Sequence, residues 1–96
     1  MPSRTRLTDA EIEAALRGLA GWTRRGDEIV REFTFKDFVA AVGFIAQVGV
    51  LAERANHHPN LSNIYNRVTI ALSTHDSGGI TEHDVKLAAE ISARAG

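Results

Sequence analysis

Between residues 38 and 52 the chain carries a single polar side chain, Gln47. A helix over residues 36–55 that is apolar nearly all round must bury more than one face. In a chain of 96 residues one sheet face cannot cover it, so a partner subunit is the expected second surface. Gly43 and Gly49 each cost about 1 kcal/mol relative to Ala inside a helix. Either something packs closely against them or they are tolerated in a well-packed helix, and the sequence leaves both readings open.

Two hairpins flank this helix. Residues 22–25 and 28–35 surround Gly26-Asp27, whose leading glycine suits the first central position of a type II′ turn. Ile29, Phe33 and Phe35 then share one face, with Val30, Glu32 and Thr34 on the more solvated one. Residues 60–65 and 68–74 form the second hairpin, with Val68, Ile70, Leu72 and Thr74 on the buried face. Strict alternation turns His75 to the opposite side unless the strand ends or twists first, so its direction is left open.

Helices close both ends of the chain. Thr8-Asp9-Ala10-Glu11 has the spacing of a capping box, with Leu7 and Ile12 as its hydrophobic staple. Ile12, Ala15, Leu16 and Leu19 follow the i, i+3, i+4, i+7 pattern, and Gly21 suits the C-terminal cap, which ends this helix near Ala20. Thr81 and Asp84 repeat the box, with Ile80 and Val85 as staple, ahead of a last helix that runs toward Ala95 and buries Leu87, Ala88 and Ile91. The order α-β-β-α-β-β-α has no strand-helix alternation that would demand a parallel sheet. It predicts a two-layer α+β fold, a four-stranded antiparallel sheet with the helices on one face, and one domain over 1–96.

Composition excludes several classes of function. The formal net charge is −1 with acids and bases interspersed, so no basic patch offers itself to phosphates and nucleic acid is not an expected ligand. Without cysteine there are no disulfides or thiolate metal sites. The N-terminal residues 1–9 are polar and no apolar run reaches the roughly 20 residues that span a bilayer. A cytoplasmic protein without membrane contact is expected.

Three of the four histidines fall between Asn56 and Asp84. His57 and His58 precede Pro59, and His75 ends the apolar-alternating strand. Pro59 biases His58 toward extended dihedrals, which stops the long helix near Asn56. Adjacent histidines at a helix end are by themselves ordinary loop residues. Three imidazoles on two short irregular segments, however, suggest a pocket that transfers protons near neutral pH. A tetrahedral metal site using Asp76 or Asp84 is conceivable, but no His-x-x-x-His helix supports it. His83 is read as a surface residue in the first turn of the last helix, and Trp22 as core. The loop Asp76-Ser77-Gly78-Gly79 is flexible by composition.

At these residues the chain resembles the pterin-4a-carbinolamine dehydratases. The matching elements are Glu53, His57-His58-Pro59, Tyr65, the strand Val68-Thr69-Ile70-Ala71-Leu72-Ser73-Thr74-His75, and Gly79-Ile80-Thr81-Glu82-His83-Asp84, with Gly21-Trp22 and Phe33-Thr34-Phe35-Lys36-Asp37-Phe38 outside that stretch. Leu61 stands where many members have Trp, which alters one pocket wall, and Ile80 replaces the usual Leu.

The resemblance implies the same fold and a 4a-hydroxytetrahydrobiopterin dehydratase that releases quinonoid dihydropterin in tetrahydrobiopterin recycling, with no metal and no cofactor. It implies acid and base work for His57 and His75 and substrate holding for His58, the three together forming the catalytic set. Asn56, Ser73, Thr74 and Asp76 would line the pterin site, and Glu53 and Asp84 would orient histidines from behind. Which imidazole is the acid is left open. A homodimer or homotetramer is expected, with an aromatic amino acid hydroxylase as a possible pathway partner. Some relatives are instead binding proteins, as transcription cofactors or Rubisco assembly factors. A pure binding role would not require His57, His58 and His75, all of which are present.

Overall fold

The computed structural model describes residues 4–96, so positions 1–3 of the polar N-terminal stretch lie outside the described residues. The chain runs α1 (Asp9–Arg17), β1 (Thr23–Arg25), β2 (Glu28–Thr34), α2 (Phe38–Ala55), β3 (Asn60–Ile64), β4 (Arg67–Leu72), a short 3₁₀ turn (His75–Ser77) and α3 (Glu82–Arg94). The strands form one antiparallel sheet in the order β1-β2-β4-β3. Each hairpin is local, and the β2–β4 pairing joins them with Ile29 opposite Leu72 and Phe33 opposite Val68. That register places the apolar sets of both strands on one face, where residues of all three helices complete the core. The expected two-layer α+β architecture is the one observed.

Local chemistry explains most element ends. Gly26 has φ +62° while Asp27 keeps negative φ, as a type II′ turn between Arg25 and Glu28 requires. In α1, Thr8 and Glu11 form the reciprocal capping box. The helix ends at Arg17, three residues short of the expected Ala20. Gly18 and Leu19 donate 3₁₀-type bonds to Ala15 O and Leu16 O, and Trp22 N–H closes a turn onto Leu19 O. This turn carries Leu19 and Trp22 into the core. Gly21 still supplies a left-handed residue, at φ +87°, inside the turn rather than at the cap.

Helix α2 begins at Phe38, two residues later than expected, because Asp37 caps it and accepts the Ala40 N–H at 2.8 Å. It ends on Asn56 in the left-handed conformation, φ 50°, whose N–H reaches back to Glu53 O. Ala41, Phe44, Val48, Leu51 and Ala52 are buried, each large aliphatic contributing about 1.5–3 kcal/mol. The 18-residue helix, mean hydropathy 1.5, is long and apolar enough to cross a bilayer by length and composition. Its buried face packs into the core cluster with the sheet and α3, the place of a core helix.

The other face of α2 is bare. Phe38, Val39, Val42 and Val50 are exposed, Val39 at 78%. A Cβ at Gly43 or Gly49 would meet no atom of the chain within 4 Å, so nothing within the chain requires glycine at either position. Around the core, Phe33 and Phe44 pack with ring centroids 4.8 Å apart, and Trp22 meets Phe33 edge-on. Trp22 Nε1 donates to Ser92 Oγ at 2.8 Å, tying the first hairpin to α3.

Candidate active site

The C-terminal end of α2, the end of β4 and the first turn of α3 meet at one edge of the sheet. Asn56, His57, His58, Ser73, Thr74, His75 and Asp76 all line one cavity of about 270 Å³, together with Arg4. Every pocket-lining residue anticipated from the sequence is therefore on one wall or another of the same cavity. A cleft of about 310 Å³ at the start of α1 is lined by Arg6, Asp9, Arg24 and Asp27 among others and has no imidazole.

His57 is buried, 9% exposed, and its Nε2 lies 2.5 Å from Asp84 Oδ1. Asp84 is fully buried. Its Oδ2 accepts the Thr81 N–H and the Thr74 hydroxyl, both at 2.9 Å. Because Thr74 donates to Asp84, its own lone pair accepts the Thr81 hydroxyl at 2.7 Å, and Thr81 Oγ1 in turn accepts the His83 N–H. No buried side-chain polar atom among the described residues is left unpaired. With Asp84 acting as acceptor throughout, Nε2 of His57 is the nitrogen that donates to Asp84 Oδ1. The capping box of α3 therefore also fixes the tautomer of a cavity histidine. The Thr74 hydroxyl is taken up in this network, so Thr74 holds Asp84 in place as it lines the cavity.

His58 and His75 stand in wetter surroundings. His58 Nε2 lies 2.8 Å from Glu53 Oε1, with both side chains largely exposed. Such a pair is worth less than about 1 kcal/mol and serves to orient the ring. His75 is exposed at the start of the 3₁₀ turn. The strand ends at Leu72, and an isolated bridge joins Thr74 to Gly79, so His75 escapes the alternation that would have sent it to the far face. The segment expected to be a flexible loop is organised: Gly78 takes φ +72°, its N–H bonds His75 O, and Thr74 N–H bonds Gly79 O at 2.8 Å. Among the described residues no three His, Asp or Glu side chains converge as a metal-binding group.

The sequence profile of the pterin 4 alpha carbinolamine dehydratases matches residues 5–94. The chain belongs to that family. It is 51% identical over 87 residues to a protein from Thermosynechococcus vestitus provisionally named pterin-4-alpha-carbinolamine dehydratase, covering 91% of this chain and 92% of the other. A protein of the same provisional name from Brucella ovis is 47% identical over 96 residues, 98% and 99% of the two chains. The crystal structure of a transcriptional coactivator/pterin dehydratase from Brucella melitensis superposes with a TM-score of 0.93 at 47% identity, over 96% of this chain and 100% of that one. A pterin dehydratase-like protein identified as a RuBisCO assembly factor in the alpha-carboxysome matches with a TM-score of 0.65 at 24% identity, over 78% of this chain and 87% of that one, and shows the fold alone.

Two neighbours of the cavity were not foreseen. Arg4 reaches the cavity because the N-terminal segment lies along the 77–80 loop. Ser77 Oγ donates to Arg4 O, Arg6 Nη1 donates to Gly78 O at 3.3 Å, and Leu7 N–H to Ile80 O at 2.8 Å. No short-range pattern announces contacts between residues some 70 positions apart. His83, expected at the surface, is half-buried, its ring centroid 5.8 Å from that of His57. The Asp84 carboxylate draws His57 across the first turn of α3 and so against His83. Burial, followed by the positive charge of Arg4 and the nearby His57, holds the His83 imidazole below its ordinary value of 6.5, with Asp84 opposing and Lys86 adding slightly.

Proposed function

We propose that this protein is a 4a-hydroxytetrahydrobiopterin dehydratase, a hydro-lyase that releases water and quinonoid dihydropterin as part of tetrahydrobiopterin recycling. The observation that carries this reading is three histidines on one cavity, one of them buried against a carboxylate with its tautomer fixed. The reaction breaks the C4a–O bond. One imidazole in its protonated form delivers a proton to the departing hydroxyl oxygen. The lone pair on the adjacent ring nitrogen forms the C=N bond, and a second imidazole removes the proton from that nitrogen. Protons balance, and one histidine ends the turnover protonated where the other began so.

His57 and His75 are the acid-base pair in this reading. His57 rests on Asp84, and His75 stands exposed on a different segment of the cavity wall. His58, oriented by Glu53, holds the substrate with Asn56, Ser73 and Asp76. Leu61, on β3, is not among the residues that line the cavity. No cofactor or metal is needed for this chemistry. A stopped-flow measurement of 4a-hydroxytetrahydropterin decay tests the reading directly. Dehydration well above the uncatalysed rate is expected, and decay at the uncatalysed rate with pure, folded protein would falsify it.

A homo-oligomer accompanies this reading. The exposed stripe of α2 bearing Val39, Val42, Gly43, Ala46 and Val50 is uncharged and apolar, so a second copy of the same stripe is its matching surface. A binding role like those described for two of its structural neighbours would use surface of this kind without needing the histidines.

A further inference from the structure

His83 lies against His57 without lining the cavity. We propose that His83 is a positioning residue for His57: uncharged, it leaves the proton of His57 under the control of Asp84, and charged, it opposes that proton, so that the two rings act as a coupled pair.

The geometry makes the two rings interact electrostatically. Their centroids are 5.8 Å apart at an interplanar angle of 44°, and His57 is buried between the cavity and α3. Two imidazolium charges at that separation, one of them on a buried ring, repel, whereas two neutral rings do not. The coupling is reciprocal, because whatever the proton on one ring costs the other is returned in equal measure.

Every charge facing the pair takes a side. Asp84, bonded to His57, favours a proton on His83. Arg4 from the N-terminal segment and Lys86, three residues on along α3, disfavour a proton on His83. Around the cavity stand His75, Asp76 and the His58–Glu53 pair, and Glu82 shares the first turn of α3. Burial, the largest cause, acts in the same direction as these basic residues and holds the His83 imidazole below its ordinary value. A single carboxylate then has a single proton to hold. As the pH falls through the lowered value of His83, a second positive charge enters beside His57 and the proton on His57 is weakened.

Two substitutions separate this from a structural role. His83→Gln removes the charge and keeps a hydrogen-bonding group, and His83→Lys makes the charge permanent. The readouts are the pH profile of kcat/KM and the imidazole NMR titration of His57 in the unliganded protein. In the wild type the His57 signal should move in two steps, one coincident with His83, and in the glutamine variant in one. The lysine variant should shift the limb that reports His57 to lower pH by about one unit. Arg4→Gln, which leaves α3 untouched, should raise the titration of His83. A residue that only holds the helix would lower the rate at every pH and move no limb.

The inference is overturned if the His57 signal titrates with one midpoint in the wild type and both His83 variants. It builds on the dehydratase reading only for the rate measurement. Two-step NMR behaviour in a protein that does not dehydrate the pterin would sink that reading and leave this one standing.

Discussion

Replacing the His57 imidazole removes a reacting group and a structural bond together. From the sequence it belongs to a loop at a helix end, where truncation should leave the fold intact. In the structure His57→Ala leaves a fully buried Asp84 oxygen without its partner, a loss of about 3 kcal/mol or more in stability. His57→Ala should therefore lower kcat by about 10² to 10⁴ and also lower Tm. His75→Ala should lower kcat over the same range with Tm unchanged, because His75 is exposed. His58→Ala should mainly raise KM, as its bond to Glu53 is at the surface. Steady-state kinetics and thermal melts on the three variants read all of this. Wild-type rates from both His57→Ala and His75→Ala would end the enzymatic reading in favour of a binding role.

Among the elements, α2 owes its starting point to one residue. The sequence alone starts the helix near Lys36, although its apolar run begins only at Phe38. The Asp37 carboxylate ends it there by taking the Ala40 N–H that an uncapped helix leaves unbonded. Asp37→Ala should cost about 1 kcal/mol, a drop in Tm of about 4–8 °C in a domain of this size, measured at constant protein concentration. Asp37→Ser should restore most of it. Equal melting temperatures for wild type and the alanine variant would show that the cap contributes nothing. The α3 box is a different case, since its Asp84 is also committed to His57, so changes there act on stability and on the site together.

For the whole molecule, the exposed stripe of α2 is the feature to test. Light scattering should give the mass of a dimer or tetramer across micromolar concentrations, and Val42→Glu should shift it toward the monomer by placing a charge in the middle of an apolar contact. A monomeric wild type at those concentrations defeats the proposal. The same preparations can test the role of metal. After dialysis against a strong chelator, activity should persist, because metal ligation would occupy the lone pairs that proton transfer uses. Activity that vanishes with the metal and returns with zinc would overturn that expectation.

The sequence by itself determined the order of elements, the α+β class, the apolar faces of the strands, both capping boxes and the gathering of Asn56, His57, His58, Ser73, Thr74, His75 and Asp76 at one place. Those features follow from periodicity, from turn and cap chemistry acting over a few residues, and from a motif whose spacing matched the family throughout. Tertiary structure decided the rest. Burial of Leu19 and Trp22 ended α1 early, and the close of β4 at Leu72 freed His75 from the strand's alternation. The N-terminal segment brought Arg4 to the cavity through bonds to Ser77, Gly78 and Ile80. Packing of α2 against α3 placed His57 on Asp84 and against His83. Each of these depends on groups far apart in the chain that meet only when the core closes, and no local pattern encodes such a meeting.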